Sequence, residues 1–139
     1  MSEVTKTKET KDNNTVAFIC LLSGWCDKVP NLHWSAPGDN THLRLDEVKD
    51  FLDETRDAIA EDYQGINGTF KPNEINVIPC DCLDANAFMK EIQVETLQYY
   101  DSIPEESIYV GIKSECEVFI HNINKYIYLF TKCNVINLS

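Results

Sequence analysis

Basic residues, glycine and proline are scarce in this chain, and each scarcity excludes a class of protein. Lys and Arg number 12 against 23 Asp and Glu, which gives a net charge of −11. A field of that sign repels nucleic acid and anionic membranes and attracts cations. Gly and Pro number five each among 139 residues, too few for a collagen-like, repetitive or disordered chain. We therefore expect metal ions as partners, and neither DNA nor a membrane.

Long apolar runs are also missing. No stretch approaches the ~20 residues that a membrane span requires. The N-terminal residues Met1 to Asn14 are polar and lack the apolar core of a secretory signal. The glycine-rich phosphate-binding motifs of nucleotide-binding proteins are missing too. These absences predict a cytoplasmic protein that does not use the secretory route.

The six cysteines are predicted to be free thiols. A chain of 139 residues can bury a core without cross-links, and the expected compartment is reducing. The Cys80-x-Cys82 pair could bind a soft metal, but no second closely spaced pair completes a tetrahedral site, which favours ordinary loop thiols. His121 is expected at the surface or at the edge of the core.

The chain length predicts one domain, with a mobile tail at 1–14 and a helical domain at 15–139. Apolar spacing predicts four helices, at about 15–28, 42–64, 85–102 and 105–133. The first of them could instead be a short strand. Pro30 and Gly65 are expected to end the first two helices, and Asp84 to cap the third. A long connection, 66–83, is expected between the second and third helices, with a short extended piece at 75–78. The fold class is therefore all-α, a four-helix bundle.

Each predicted helix has an apolar stripe that should face the core. In the second helix the stripe is Leu45, Val48, Leu52, Ile59 and Tyr63. In the third helix it is Phe88, Ile92, Leu97 and Tyr100. In the fourth helix it is Ile108, Ile112, Cys116, Phe119, Ile123, Ile127 and Phe130. Glu105 and Glu106 would suit the first turn of that last helix, where carboxylates offset the helix dipole.

The second helix carries a further stripe that is polar. Its members are spaced 4, 4, 3, 4 and 4 residues apart and occupy about 100° of one helix face: His42, Asp46, Asp50, Asp53, Asp57 and Glu61. Like charges at this spacing repel by ~0.2–0.5 kcal/mol per pair, so the pattern favours a bound cation. Carboxylate and imidazole together suit iron, manganese or zinc. Because this acidic stripe lies opposite the apolar one, it faces either water or another subunit.

A set of motifs then resembles a known family. His33-Trp34, His42 nine residues after His33, Asp46 and the Asp57-x-x-x-Glu61 pair resemble the Dps-like miniferritins of the ferritin superfamily. The likeness is nearest to short phage-encoded ferritin-like proteins, and it extends over about 32–68. It implies a ferritin-like four-helix subunit that forms dimers and often a hollow dodecamer.

The resemblance also implies a function. Fe(II) would bind His33, His42, Asp46, Asp57 and Glu61 at a dimer interface, with the two histidines from one chain and the Asp57/Glu61 pair from its neighbour. Peroxide or dioxygen would oxidise it, and the Fe(III) mineral would collect in an acidic cavity. Trp34 would serve either as a packing residue or as an electron donor. Another divalent metal remains open.

A second hypothesis comes from a different class. The chain could be a non-catalytic phage protein that uses the same fold as a structural or host-interaction module. Its acidic stripe would then serve contact or solubility. For a phage-encoded protein, the cytoplasm is that of the host cell, and a place in the virion stays open.

Overall fold

The computed structural model describes the backbone from Ser2 to Leu138 and the side chains of residues 14–133. Over that backbone there are four α-helices and no strand: α1 (Ser2–Trp34), α2 (Asp39–Asn67), α3 (Ala85–Ser102) and α4 (Val110–Leu138), with a 3-10 turn at Ser107–Tyr109 before α4. The prediction of an all-helical fold with four helices is confirmed. The first helix was predicted to begin at about residue 15, but its backbone is helical from Ser2 onward, so most of the predicted tail is part of α1. The mobility predicted for 1–14 stays a prediction.

The first three helices have their directions fixed by short turns and polar contacts. A turn at 35–38 joins α1 and α2, which therefore run antiparallel. The Thr15 and Tyr99 hydroxyls lie 2.8 Å apart, and the Trp25 indole donates to Glu91 at 2.8 Å. Later residues of α1 thus face earlier residues of α3, so these two helices are also antiparallel. It follows that α2 and α3 run in the same direction.

The fourth helix runs antiparallel to α2 and α3. The Tyr100 hydroxyl donates to Glu117 at 2.6 Å, and the Gln93 amide donates to Asn124 at 3.0 Å, so α4 is antiparallel to α3. In the bundle α1 packs on α2 and α3, and α4 packs on the same two helices. Because α2 and α3 are parallel, the connection between them, 68–84, has to run along the bundle. We call this segment the crossover.

The core is built from the apolar stripes. All five predicted stripe residues of α2 are buried: Leu45, Val48, Leu52, Ile59 and Tyr63. The predicted stripes of the third and fourth helices differ from the structure at four positions: Leu97 and Ile108 are exposed, and Tyr100 and Ile127 are only half-buried. Tyr99 takes the inward position instead, because its ring stacks on Phe18 at a centroid distance of 4.2 Å.

Three further predicted helix boundaries are wrong. α1 continues through Pro30 to Trp34, because the residues around the proline, Val29 and Leu32, are buried and packing outweighs the lost hydrogen bond. α2 passes Gly65 and ends at Asn67, and the capping residue Gly68 has a positive φ of 94° that a glycine adopts without strain. The Glu105–Glu106 pair does not begin α4, whose first turn carries no acidic residue.

Other boundaries agree with the sequence. α3 spans Ala85–Ser102 as predicted, and the Asp84 side chain accepts a hydrogen bond from the Ala87 N–H at 2.9 Å. The predicted extended piece at 75–78 forms no strand, since its backbone pairs with α1 rather than with another strand. The Ile78 N–H donates to the Cys20 carbonyl at 3.2 Å.

The crossover lies directly on α1 at Gly24. A Cβ atom built on Gly24 would stand 1.7 Å from the Ile78 carbonyl oxygen, so only a glycine allows this approach. The crossover is therefore held against α1 by backbone contact. No helix, over the part of the chain the structure describes, combines the length and apolarity needed to cross a membrane.

Candidate metal centre

His33 ends α1 and His42 lies in the first turn of α2, and the structure brings the two rings together across the short turn. Their centroids are 3.6 Å apart, with 31° between the ring planes. His33 Nδ1 lies 2.9 Å from the His42 carbonyl oxygen, and His42 Nδ1 lies 2.8 Å from the His33 carbonyl oxygen. The two residues thus hold each other by a reciprocal pair of hydrogen bonds, which we call the histidine latch.

The latch decides where each imidazole carries its proton. A carbonyl oxygen only accepts hydrogen bonds, so Nδ1 is the donor in both rings. In the neutral imidazole the lone pair then remains on Nε2. Histidines that bind metals commonly donate the other ring N–H to a backbone carbonyl or a carboxylate in this way. Both rings therefore have the protonation pattern of a metal ligand.

Asp46 lies beside the latch. Its Oδ1 is 3.2 Å from His33 Nδ1, while its own side chain is 63% exposed. A carboxylate on Nδ1 orients the ring. Asp46 thus lies beside His33, but it contacts Nδ1 and not Nε2, the nitrogen left over for a ligand.

Trp34 and Leu43 flank the latch and point outward. Their side chains are 75% and 59% exposed, so neither packs into the core of its own subunit. Exposed aromatic and aliphatic side chains next to a polar site are typical of a surface that contacts another molecule.

His121, by contrast, is an exposed residue of α4, as predicted.

Asp57 and Glu61 are not brought to the latch within one chain. They lie 15 and 19 residues after His42 on the same helix. At a rise of 1.5 Å per residue this places them about 22 Å and about 28 Å away along the axis. Only a second molecule could supply these carboxylates to the histidines.

The acidic stripe also has internal cationic partners, which sequence reasoning missed. Lys49 Nζ lies 3.1 Å from Asp53 Oδ2, and Arg56 Nε lies 3.2 Å from Asp57 Oδ1. These residues stand at the edge of the stripe and offset part of its repulsion. Ion pairs this exposed contribute ~0–1 kcal/mol each, so they can yield to a stronger ligand.

A second cluster joins the crossover to α3. Among the described side chains, one group of three metal-ligating residues has its ligand atoms within 4.8 Å of one another: Cys80, Cys82 and Glu91. Burial raises the pKa of Cys82 to about 12, helped by its hydrogen bond to Cys80, and burial likewise raises the pKa of Cys80. The Cys-x-Cys spacing hinted at this site, but Glu91 comes from another element and no sequence pattern linked it to the thiols.

Comparison with known proteins yields no relative. No family model matches the chain, and no curated protein or solved structure is significantly similar to it. The function is therefore argued from the geometry above.

Proposed function

We propose that the protein is a ferritin-like, iron-binding protein that oxidises Fe(II) at sites shared between two subunits. The observation that carries the proposal is the histidine latch. Two imidazoles with Nδ1 committed to backbone carbonyls retain Nε2 for a cation, beside a carboxylate stripe. Imidazole nitrogen with carboxylate oxygen is a ligand mixture that suits iron.

The arrangement of the helices supports the ferritin-like part of the proposal. Two antiparallel hairpins, α1–α2 and α3–α4, are joined by one long crossover between parallel helices. Ferritin-like bundles have one such crossover, whereas up-down-up-down bundles have none and cytokine bundles have two.

The spacing of the acidic stripe supports a two-fold dimer. The intervals 4, 4, 3, 4 and 4 read the same in both directions. A two-fold axis through the middle of the stripe, with α2 antiparallel to its copy, sets His42 opposite Glu61 of the partner subunit. The same axis sets Asp46 opposite Asp57 of the partner subunit. An isologous interface of this kind completes the ligand set twice.

The exposed side chains at the latch fit this arrangement. Trp34 and Leu43 are uncovered in the single subunit and would be covered by a second copy. Trp34 then serves as a packing residue at the interface or as an electron donor to the site. Carboxylates opposite carboxylates would repel, and bound cations would offset that repulsion.

The reaction balances with peroxide as the oxidant. Two Fe²⁺ ions each lose one electron, and peroxide takes up both electrons and two protons to give two molecules of water. Anionic oxygen ligands favour the product, because Fe³⁺ is the harder and more highly charged ion. Iron is the substrate here, and dioxygen is the other oxidant to be compared.

The test is anaerobic titration of the purified protein with Fe²⁺, followed by a peroxide pulse, with Fe³⁺ absorbance and native mass recorded together. The double variant Asp57→Asn/Glu61→Gln should lose saturable binding and fast oxidation. The matched control Asp101→Asn/Glu95→Gln removes the same two charges from α3 and should behave as the natural chain does. Zinc should compete with iron, and oxidation that is unchanged in excess zinc would contradict the ligand assignment.

One observation favours the non-catalytic alternative. Lys49 and Arg56 already pair with carboxylates of the stripe, as expected for a solvated or protein-contacting face. Under that hypothesis the protein is a structural or host-interaction module, and the Asp57→Asn/Glu61→Gln variant leaves its behaviour nearly intact. Fe²⁺ uptake no greater than that of a buffer blank would decide for the alternative.

A further inference from the structure

The cluster at the end of the crossover is chemically unlike the acidic stripe. It combines two thiols and one carboxylate, whose ligand atoms lie within 4.8 Å of one another. Thiolates select soft or borderline ions, such as Zn²⁺ and Cu⁺, over the hard ions that an all-oxygen site prefers. The cluster also lies in one subunit, so it needs no assembly.

Glu91 is held in place by a buried neighbour. The Trp25 indole donates to Glu91 Oε2 at 2.8 Å, and Trp25 itself is 1% exposed. The other carboxylate oxygen, Oε1, faces the thiols and accepts a hydrogen bond from Cys82 Sγ at 3.6 Å. One oxygen of Glu91 is thus committed to the fold, and the other is presented to Cys82. This is the outer support that metal-binding carboxylates usually have.

The backbone of the crossover is fixed just before the thiols. Ile78 donates to the Cys20 carbonyl, and its own carbonyl lies against Gly24. Cys80 is therefore only two residues from an anchored point on α1. A cleft between α1 and the crossover, lined by Asp27, Asn31 and Cys80 among others, leads to Cys80, and both thiols of the cluster are partly exposed. The fold therefore positions the thiols and leaves them accessible to an ion from solvent.

We propose that Cys80, Cys82 and Glu91 bind one thiophilic divalent cation of the Zn²⁺ class, with the fourth coordination position open to water or an external ligand. Binding replaces the two thiol protons by the metal, so two protons leave for solvent and no electron is transferred. Three protein ligands with one open position are typical of zinc sites that act on a bound molecule, whereas structural sites close all four. This proposal does not depend on iron chemistry at the acidic stripe.

The test uses the full chain, reduced and stripped of metal, titrated with Cd²⁺ as the probe. Thiolate-to-cadmium charge-transfer absorption in the ultraviolet should saturate at about one ion per chain. The Cys80→Ser/Cys82→Ser variant should lose at least about a hundredfold in affinity, and Glu91→Gln, which keeps an oxygen for the Trp25 indole, about tenfold. Circular dichroism establishes that each variant is folded, and the Glu91→Gln variant decides if the double variant is not.

Controls separate this site from other thiols and from the acidic stripe. Cys133→Ser removes a buried thiol outside the cluster and should leave the cadmium titration unchanged, as should Asp57→Asn/Glu61→Gln. The proposal is overturned if the reduced chain gives no charge-transfer band, or if the band survives in the Cys80→Ser/Cys82→Ser variant. A Cys80–Cys82 disulfide in the isolated protein, with no cadmium uptake after reduction, would overturn it as well.

Discussion

Each ring of the histidine latch has one nitrogen committed to the fold and one left over. The reciprocal bonds from Nδ1 to a carbonyl stabilise the α1–α2 turn by about 1 kcal/mol each. The same bonds leave Nε2 available for the metal of the proposed site. The hydrogen bond that stabilises the turn and the proposed bond to a metal therefore involve different nitrogens of one ring. A substitution can remove one without the other.

Two substitutions at His42 test this division. An Asn amide occupies the place of Nδ1, so His42→Asn keeps a donor for the His33 carbonyl but lacks a ligand at Nε2. We expect its free energy of unfolding to stay within about 1 kcal/mol of the natural chain, with Fe²⁺ binding lost. His42→Gln places its amide at the position of Nε2 and should lose the latch. Urea unfolding and Fe²⁺ titration of both variants are the measurements, and equal stabilities would argue against the latch.

Buried thiols predict a loss of stability at alkaline pH. Burial raises the pKa of Cys116 from 9.0 to about 12. The folded state therefore keeps a proton that the unfolded chain releases, so the stabilisation is complete below pH 9 and is lost as the pH rises toward 12. At pH 10.5 this single thiol should lower the free energy of unfolding by about 2 kcal/mol relative to pH 8.

The measurement is the urea midpoint of unfolding at both pH values, for the natural chain and for Cys116→Ala. The variant is less stable at pH 8, because it leaves a cavity. Its stability should nevertheless fall less steeply with pH. If both proteins lose the same free energy between the two pH values, Cys116 is not the group responsible.

At the scale of elements, the contact between Gly24 and the crossover leaves no room for a side chain. Gly24→Ala puts a methyl group where the Ile78 carbonyl oxygen lies, so the crossover has to move away from α1. We expect a net loss of about 2 kcal/mol in the free energy of unfolding, even though alanine favours the helix. Displacing Ile78 should also disturb Cys80, so cadmium affinity should fall with stability.

Gly65 offers the matched control for this substitution. It too lies inside a helix, but nothing stands within 4 Å of its added Cβ. Gly65→Ala should raise the free energy of unfolding by about 0.5–1 kcal/mol, because alanine has the higher helix propensity. Thermal unfolding of the two variants side by side is the measurement, and equal shifts of the same sign would refute the close approach at Gly24.

Local chemistry made some elements predictable and not others. The approximate bounds predicted for α3 agree with the structure, because an N-cap at Asp84 and a proline at Pro104 bracket it in the sequence. The end of α1 was not, since its proline is tolerated only through the burial of residues around it. The apolar stripe of α2 was predicted correctly at all five positions, because the core-facing residues of a long helix recur with one regular spacing.

At the scale of the whole molecule, the sequence predicted the candidate site only in part. A nine-residue interval across a turn brings His33 and His42 together, and that interval is visible in the sequence. The contact of Glu91 with Cys80 and Cys82 depends on the path of the crossover, which no local pattern encodes. The approach of Asp57 and Glu61 to the histidines would need a second molecule, which the fold of one chain does not supply.

The two-fold arrangement makes a prediction about assembly. In the proposed two-fold dimer Asp50 would lie opposite Asp53 of the partner subunit, so repulsion would weaken that dimer when it holds no metal. Asp50→Lys replaces that repulsion by attraction, and we expect its dimer to be about tenfold tighter than that of the natural chain in the presence of a chelator. Sedimentation velocity over a concentration series provides the dissociation constants.

The control is Glu95→Lys, which makes the same charge change on α3. It should leave the dissociation constant of the metal-free dimer unchanged, apart from a small effect of net charge. An Asp50→Lys chain that associates no better than the control would place the interface away from the acidic stripe.

The long crossover has a consequence for how the molecule is put together. Each helical hairpin closes over a short turn and makes its own contacts locally, whereas the docking of one hairpin on the other depends on 68–84. The residues at the tip of that segment, Lys71, Pro72 and Asn73, are all exposed. Cleavage there would leave two hairpins that share an apolar interface, so the subunit is in effect a heterodimer whose two partners are tethered to each other.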